Sequence, residues 1–109
     1  MMNIKELLSR YGAGQRDFRN INLIAANLRS VNLSGINLMG ADLRGANLSK
    51  ANLSHANLTD VSLKGANLTE TNLISADLSG VDLSDLDLSQ TRLSRTITAA
   101  QIDANLILK

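Results

Sequence analysis

The sequence predicts an all-β solenoid, and three observations predict it. Leucine recurs every five residues from Leu23 to Leu93, with Phe18 in the same phase one step earlier. Two places before each of these residues stands a mostly small or apolar one, from Ile21, Ala26 and Val31 through Ala41, Ala46 and Ala51 to Leu86, with Thr71 and Thr91 as polar exceptions. The two places after each leucine are rich in Ser, Thr, Gly, Lys and Asp, which favour turns, and Gly35, Gly40, Gly45, Gly65 and Gly80 all fall in the second of them.

A period of five fits neither regular element. On an α-helix each step leaves a net rotation of about 140°, so the leucines would spiral around every side. On a flat strand an odd step reverses the face each time, so half of them would meet water. A chain that turns a corner between successive leucines keeps all of them inward. The predicted core is therefore Phe18, Leu23, Leu28, Leu33, Leu38, Leu43, Leu48, Leu53, Leu58, Leu63, Leu68, Leu73, Leu78, Leu83, Leu88 and Leu93. Positions two apart share a face of an extended segment, so the preceding Ala, Val or Ile points inward as well. The residue between is Asn or Asp from Asn22 to Asp87, apart from Ser62, and points out; Arg92 departs after it. Aromatic residues are 2% of the chain, Tyr11 and Phe18 alone, so the core is built by layering small side chains. Burial of a leucine contributes about 1.5–3 kcal/mol gross, offset by ordering five residues. Stability must come from stacked repeats.

The run "ADLRGANLSKANLSHANLTD" resembles the pentapeptide-repeat family, whose pattern is Ala-(Asn/Asp)-Leu-x-x. The resemblance covers about 16–95, sixteen units counting the one centred on Phe18. It implies a right-handed quadrilateral β-helix with four pentapeptides per coil, hence about four coils. At ~4.8 Å between strands the rod would be about 20 Å long. The coil of twenty belongs to the resemblance; the residues themselves show a period of five.

Three regions are expected: an N-terminal capping helix over 1–15, the repeat β-helix over 16–95 and a C-terminal cap over 96–109. Stacked coils expose strand edges at their ends, and lids cover them. At the front, Asn3 is placed as N-cap with Glu6 three residues on, and Met2 and Leu7 stand at staple positions. Ile4, Leu7, Leu8 and Tyr11 form the apolar stripe, and Gly12 and Gly14 end the helix. At the back, Thr98 and Gln101 suggest a second capping box, Ile97 and Ile102 a staple, and a short helix from about Ala99 with Ile102 and Leu106 inward.

The absence of cysteine excludes disulfides, thiolate zinc sites and thiol nucleophiles. No apolar run approaches a membrane span or a signal peptide, so a cytoplasmic protein without membrane contact is expected. The net charge of +1 hides an asymmetry: residues 1–50 carry +4 and residues 51–91 carry −5.

No catalytic, cofactor or metal site is expected. The single histidine, His55, occupies a turn, and hydrolysis would need it to converge with a nucleophile and an acid in a pocket that a leucine-filled shaft lacks. A metal would need three or four convergent ligands. Asn27, Asn47 and Asn67 would stack on a twenty-residue coil and bond to each other or to the turn backbone. Arg19, Arg29, Arg44, Lys50 and Lys64 are placed on different faces with no aromatic residues between them, so direct nucleic-acid binding is not expected. A Thr-x-Thr array of the ice-binding kind is absent.

The function expected is therefore that of a non-enzymatic structural or protein-interaction module, a monomer whose partner is another protein. Repeating residues build, so specificity must lie in the departures: Arg44, Lys50, His55, Asp60, Lys64, Glu70, Asp77, Asp82, Asp85 and Asp87. The resemblance also implies an alternative, since some family members mimic DNA and bind type II topoisomerases through long, strongly acidic, dimeric rods. The charge of +1 and the shortness of this chain speak against it.

Overall fold

The corner is the unit from which the rest is built. In a computed structural model, which describes residues 2–98, the second residue after each leucine takes the left-handed conformation at most corners. Examples are Ala25 (φ 58°), Gly45 (φ 68°), His55 (φ 61°) and Glu70 (φ 57°). This is the sign a type II turn needs at its third residue. The turn closes with a hydrogen bond from the next inward residue to the leucine carbonyl, as from Ala41 N to Leu38 O at 2.8 Å. At two glycine corners an added Cβ would also displace the end of a side chain from the neighbouring coil. A Cβ on Gly40 would lie 2.2 Å from Asn20 Oδ1, and one on Gly80 would lie 2.0 Å from Asp60 Oδ1.

The outward Asn and Asp residues hold the corners. Asn27 Oδ1 accepts from Arg29 N at 3.2 Å, Asn47 Oδ1 from Ser49 N at 3.0 Å and Asp82 Oδ1 from Ser84 N at 3.0 Å. Of the two roles open to the asparagine column, the bond to the turn backbone is the one made.

Between corners the chain is extended and pairs in parallel with the chain twenty residues on. Asp17 bridges Asn37, Asn22 bridges Asp42, Asn27 bridges Asn47 and Asn32 bridges Asn52. The bonds alternate along each rung: Leu23 N donates to Asp42 O at 2.8 Å and Asp42 N to Ile21 O at 3.0 Å. One coil is thus four pentapeptides, and four faces result. They are named here by their first core residue: Phe18 (with Leu38, Leu58 and Leu78), Leu23 (with Leu43, Leu63 and Leu83), Leu28 (with Leu48, Leu68 and Leu88) and Leu33 (with Leu53, Leu73 and Leu93).

Phe18 and every leucine of the period from Leu23 to Leu93 are buried, and most of the paired Ala, Val and Ile residues join them. The polar intruders are satisfied. Thr71 and Thr91 are buried, and their hydroxyls donate to Leu48 O at 2.8 Å and Leu68 O at 2.9 Å in the coil below.

Helix α1 spans Ile4–Gly12. Asn3 caps it, its Oδ1 accepting from Glu6 N at 2.8 Å. The reciprocal half of the capping box is replaced, because the Glu6 carboxylate pairs with Arg10 one turn on. Leu7 is buried and Met2, Ile4 and Tyr11 pack against the core, whereas Leu8 is 37% exposed and leaves the stripe. Tyr11 ties the helix to the coil by donating to Ser34 O at 2.6 Å, and the Arg16 guanidinium lies 3.8 Å from its ring centre.

Strands β1 (Asp77–Leu78) and β2 (Ile97–Thr98) pair in parallel, so the ladder runs past Arg95 and places Ile97 outward, 57% exposed. The short helix expected from Ala99, with Ile102 and Leu106, lies outside the described residues. Among the described residues, no helix is long and apolar enough to cross a membrane.

Candidate functional site

The coil sorts the departures into columns. Arg44 and Lys64 both follow the leucine of the Leu23 face and stack one above the other, linked by Gly45 N donating to Lys64 O at 2.9 Å. The expectation that the basic residues fall on separate faces is corrected here, because residues twenty apart share a face. Arg44 is nonetheless tied within its own strand, its Nη2 lying 2.6 Å from Asp42 Oδ2. Lys50 and Glu70 stack at the next corner, 3.8 Å apart, with Arg92 and Gln90 beside them. His55 is exposed at a corner of the Leu33 face. Asp77 lies on the Phe18 face, where Ser79 N and Oγ both donate to its Oδ1, at 2.9 and 2.6 Å. Asp87 lies on the Leu28 face.

Four departures come together where the ladder opens. Asp60, Lys64, Asp82 and Asp85 line a groove of about 380 Å³ with Val61, Ser62, Leu63, Gly80, Ser84 and Leu86. Here the pairing that holds every earlier coil of the Leu23 face is missing: Ser62 does not bridge Asp82. In the coil below, Leu43 N donates to Ser62 O at 2.8 Å and Gly45 N to Lys64 O at 2.9 Å. One coil up, the corresponding Leu63 N and Gly65 N have no hydrogen-bond partner among the described residues.

Leu86 accounts for the opening. The inward column of the Leu28 face runs Ala26, Ala46, Ala66 and then Leu86. A shaft packed for a methyl group cannot take an isobutyl group without moving backbone. Leu86 stays only partly buried, as do Ala66 beneath it and Ala26 at the foot of the column, while Ala46 is buried. The two corners that flank Leu86, at Asp85 and Gln90, are the ones without the left-handed residue seen at the others. Sequence reading placed Leu86 in the inward set but gave its size no consequence. The signal is visible once the chain is folded at twenty, as one large residue in a column of alanines.

The family of this architecture is decided by comparison. A family model described as pentapeptide repeats matches over residues 21–60 and 56–95. This chain belongs to the pentapeptide-repeat family. Its fold is the right-handed β-helix of that family. Among solved structures it is similar to HetL, a pentapeptide-repeat protein involved in heterocyst differentiation regulation, from the cyanobacterium Nostoc sp. strain PCC 7120. That likeness has 40% identity and a TM-score of 0.85, and covers 88% of this chain but 40% of HetL. A second pentapeptide-repeat protein from the same organism, alr5209, is 34% identical with a TM-score of 0.50 and is covered over 93% of its length. No curated protein matches.

Several carboxylates of this pentapeptide-repeat chain are held below their ordinary range by their own corners. Hydrogen bonds from the Arg19 and Arg44 side chains lower Asp17 and Asp42, the Ser79 hydroxyl lowers Asp77, and the Ser84 backbone N–H lowers Asp82. Asp82 on the groove is therefore charged at neutral pH. Among the described residues no group of three or more His, Asp or Glu side chains is placed to hold a metal ion.

Proposed function

We propose that this chain is a non-enzymatic interaction module that binds another protein through the surface of its coil. The rod it presents has about four coils over 16–95, with helix α1 as a lid at its front, and acts as a cytoplasmic monomer. The supporting observation is the division of labour between inside and outside. Leu, Ala and Thr fill the shaft of the described coils, while side chains the repeat does not need gather on the outside, four of them around one groove. A shaft filled in this way supplies no concave site to surround a substrate. The 40% identity to HetL, a protein with a regulatory role, fits a part played by binding. This chain spans 40% of the length of HetL.

Cross-linking of the chain in its native cells, followed by reconstitution of the captured complex from purified components, tests the reading. A defined complex that survives dilution and is weakened by changes at Asp60, Lys64, Asp82 and Asp85 supports it. Turnover of ester, phosphate or glycoside substrates by the purified chain would overturn it. Supercoiling by a type II topoisomerase should be unaffected by excess protein, since a net charge of +1 gives no sustained phosphate-like field.

A further inference from the structure

We propose that the groove between the third and fourth coils is a docking slot for an extended segment of a partner protein carrying basic side chains. The inference rests on the interaction-module reading above and gives that module a site and a ligand chemistry. It begins from main-chain groups. Along a paired coil the leucine N–H and the corner N–H both donate upward, and the inward residue's carbonyl accepts from above, as Leu23 N, Ala25 N and Ile21 O do. On the third coil the equivalent groups are Leu63 N, Gly65 N and Val61 O, and none has a partner across the slot among the described residues. Two donors and one acceptor at strand spacing form a short, unfilled edge, which an extended backbone satisfies and a side chain alone does not.

The charge around the edge selects the segment. Asp60, Asp82 and Asp85 face one ammonium, Lys64, which makes no ion pair among the described residues. The lip thus carries a net −2. The Asp60 carboxylate lies close over Gly80 of the coil above, where a Cβ on Gly80 would be 2.0 Å from its Oδ1. Alternate side chains of an added strand point to the same side, so Lys or Arg at every second position would meet the carboxylates. The slot is bounded: the coils are joined again by Asp60 N donating to Ser79 O before it, and by Glu70 N donating to Gln90 O after it, both at 2.9 Å. That second bond skips one residue relative to the other corners, where Ser75 N donates to Ser94 O, so the slack of the opening is absorbed there.

The test uses the full chain and two labelled eight-residue peptides, alternating Lys-Thr and alternating Glu-Thr, followed by fluorescence anisotropy. The Lys-Thr peptide should bind at least about tenfold more tightly than the Glu-Thr peptide. Methylation of alternate backbone nitrogens on the Lys-Thr peptide should cost about tenfold again, since it removes the donors an added strand needs. Leu86→Ala, which lets the coils close, should weaken binding to a similar degree while the variant remains folded. Asp82→Asn should weaken binding with the corner intact, because Asn makes the same bond at the equivalent place in other coils. Equal binding of the methylated peptide would reduce the effect to surface electrostatics and overturn the slot, as would undiminished binding to Leu86→Ala. A reconstituted complex that Leu86→Ala leaves intact would also overturn the slot while leaving the interaction-module reading standing. Absence of any cross-linked partner would overturn both.

Discussion

Leu58 shows what a single residue does in this molecule. It sits at mid-shaft, fully buried, with a coil above and below it. Leu58→Ala leaves a hole that two stiff neighbouring coils cannot collapse around, and should cost about 2–5 kcal/mol in chemical denaturation. Unchanged stability would mean the side chain does not fill the shaft. The outward residues act differently. Asp17, Asp42, Asp77 and Asp82 are lowered from the ordinary value of 3.8 by corner hydrogen bonds. The unfolded chain therefore takes up protons first as pH falls, so their contribution is whole above about pH 5 and is lost on descending through and below the ordinary carboxyl range. The urea midpoint should be flat near neutrality and drop below about pH 4. A drop centred near pH 6 would point to other groups. Asp17 and Asp82 are exposed and Asp42 and Asp77 only partly buried, so the effect should be small.

The element that matters is the pentapeptide in its column. Local chemistry was legible in the sequence because each unit announces it: Ala or Val inward, Asn or Asp at the corner, leucine inward, then a turn. The Asn3 cap and the seating of Leu7 were legible for the same reason, being local patterns, whereas Leu8 was misplaced because the stripe alone does not say which side of the helix meets the coil. The period of twenty was not legible, since all four faces carry the same letters. Neither, therefore, was the stacking of Arg44 on Lys64 nor the conflict of Leu86 with Ala66. That conflict yields a paired prediction. Leu86→Ala should raise the unfolding free energy in urea denaturation by about 1 kcal/mol from restored ladder bonds. Ala46→Leu, the reverse size change two coils lower in the same column, should cost about 1–3 kcal/mol. If Leu86→Ala instead destabilises as Leu58→Ala does, Leu86 is filling the core rather than wedging it.

At the scale of the whole molecule the coil sets what the chain can do. Its interior is spent on stability, and pairing leaves almost no backbone free between coils. Side chains the repeat does not need stand in the outer columns, and three acids of the second half, Asp60, Asp82 and Asp85, collect where a column misfits. Sequence reading found these residues as departures from the repeat but did not set them on the twenty-residue winding that the resemblance implied, so their proximity went unseen. Amide hydrogen exchange tests the opening most directly, since it reads each rung of the ladder by itself. Leu23, Leu43 and Leu53 N–H, bonded to the next coil at 2.8 Å, should be strongly protected, while Leu63 and Gly65 N–H exchange far faster. Equal protection of Leu63 and Leu43 would mean that the ladder is closed at Leu86 and would contradict the account.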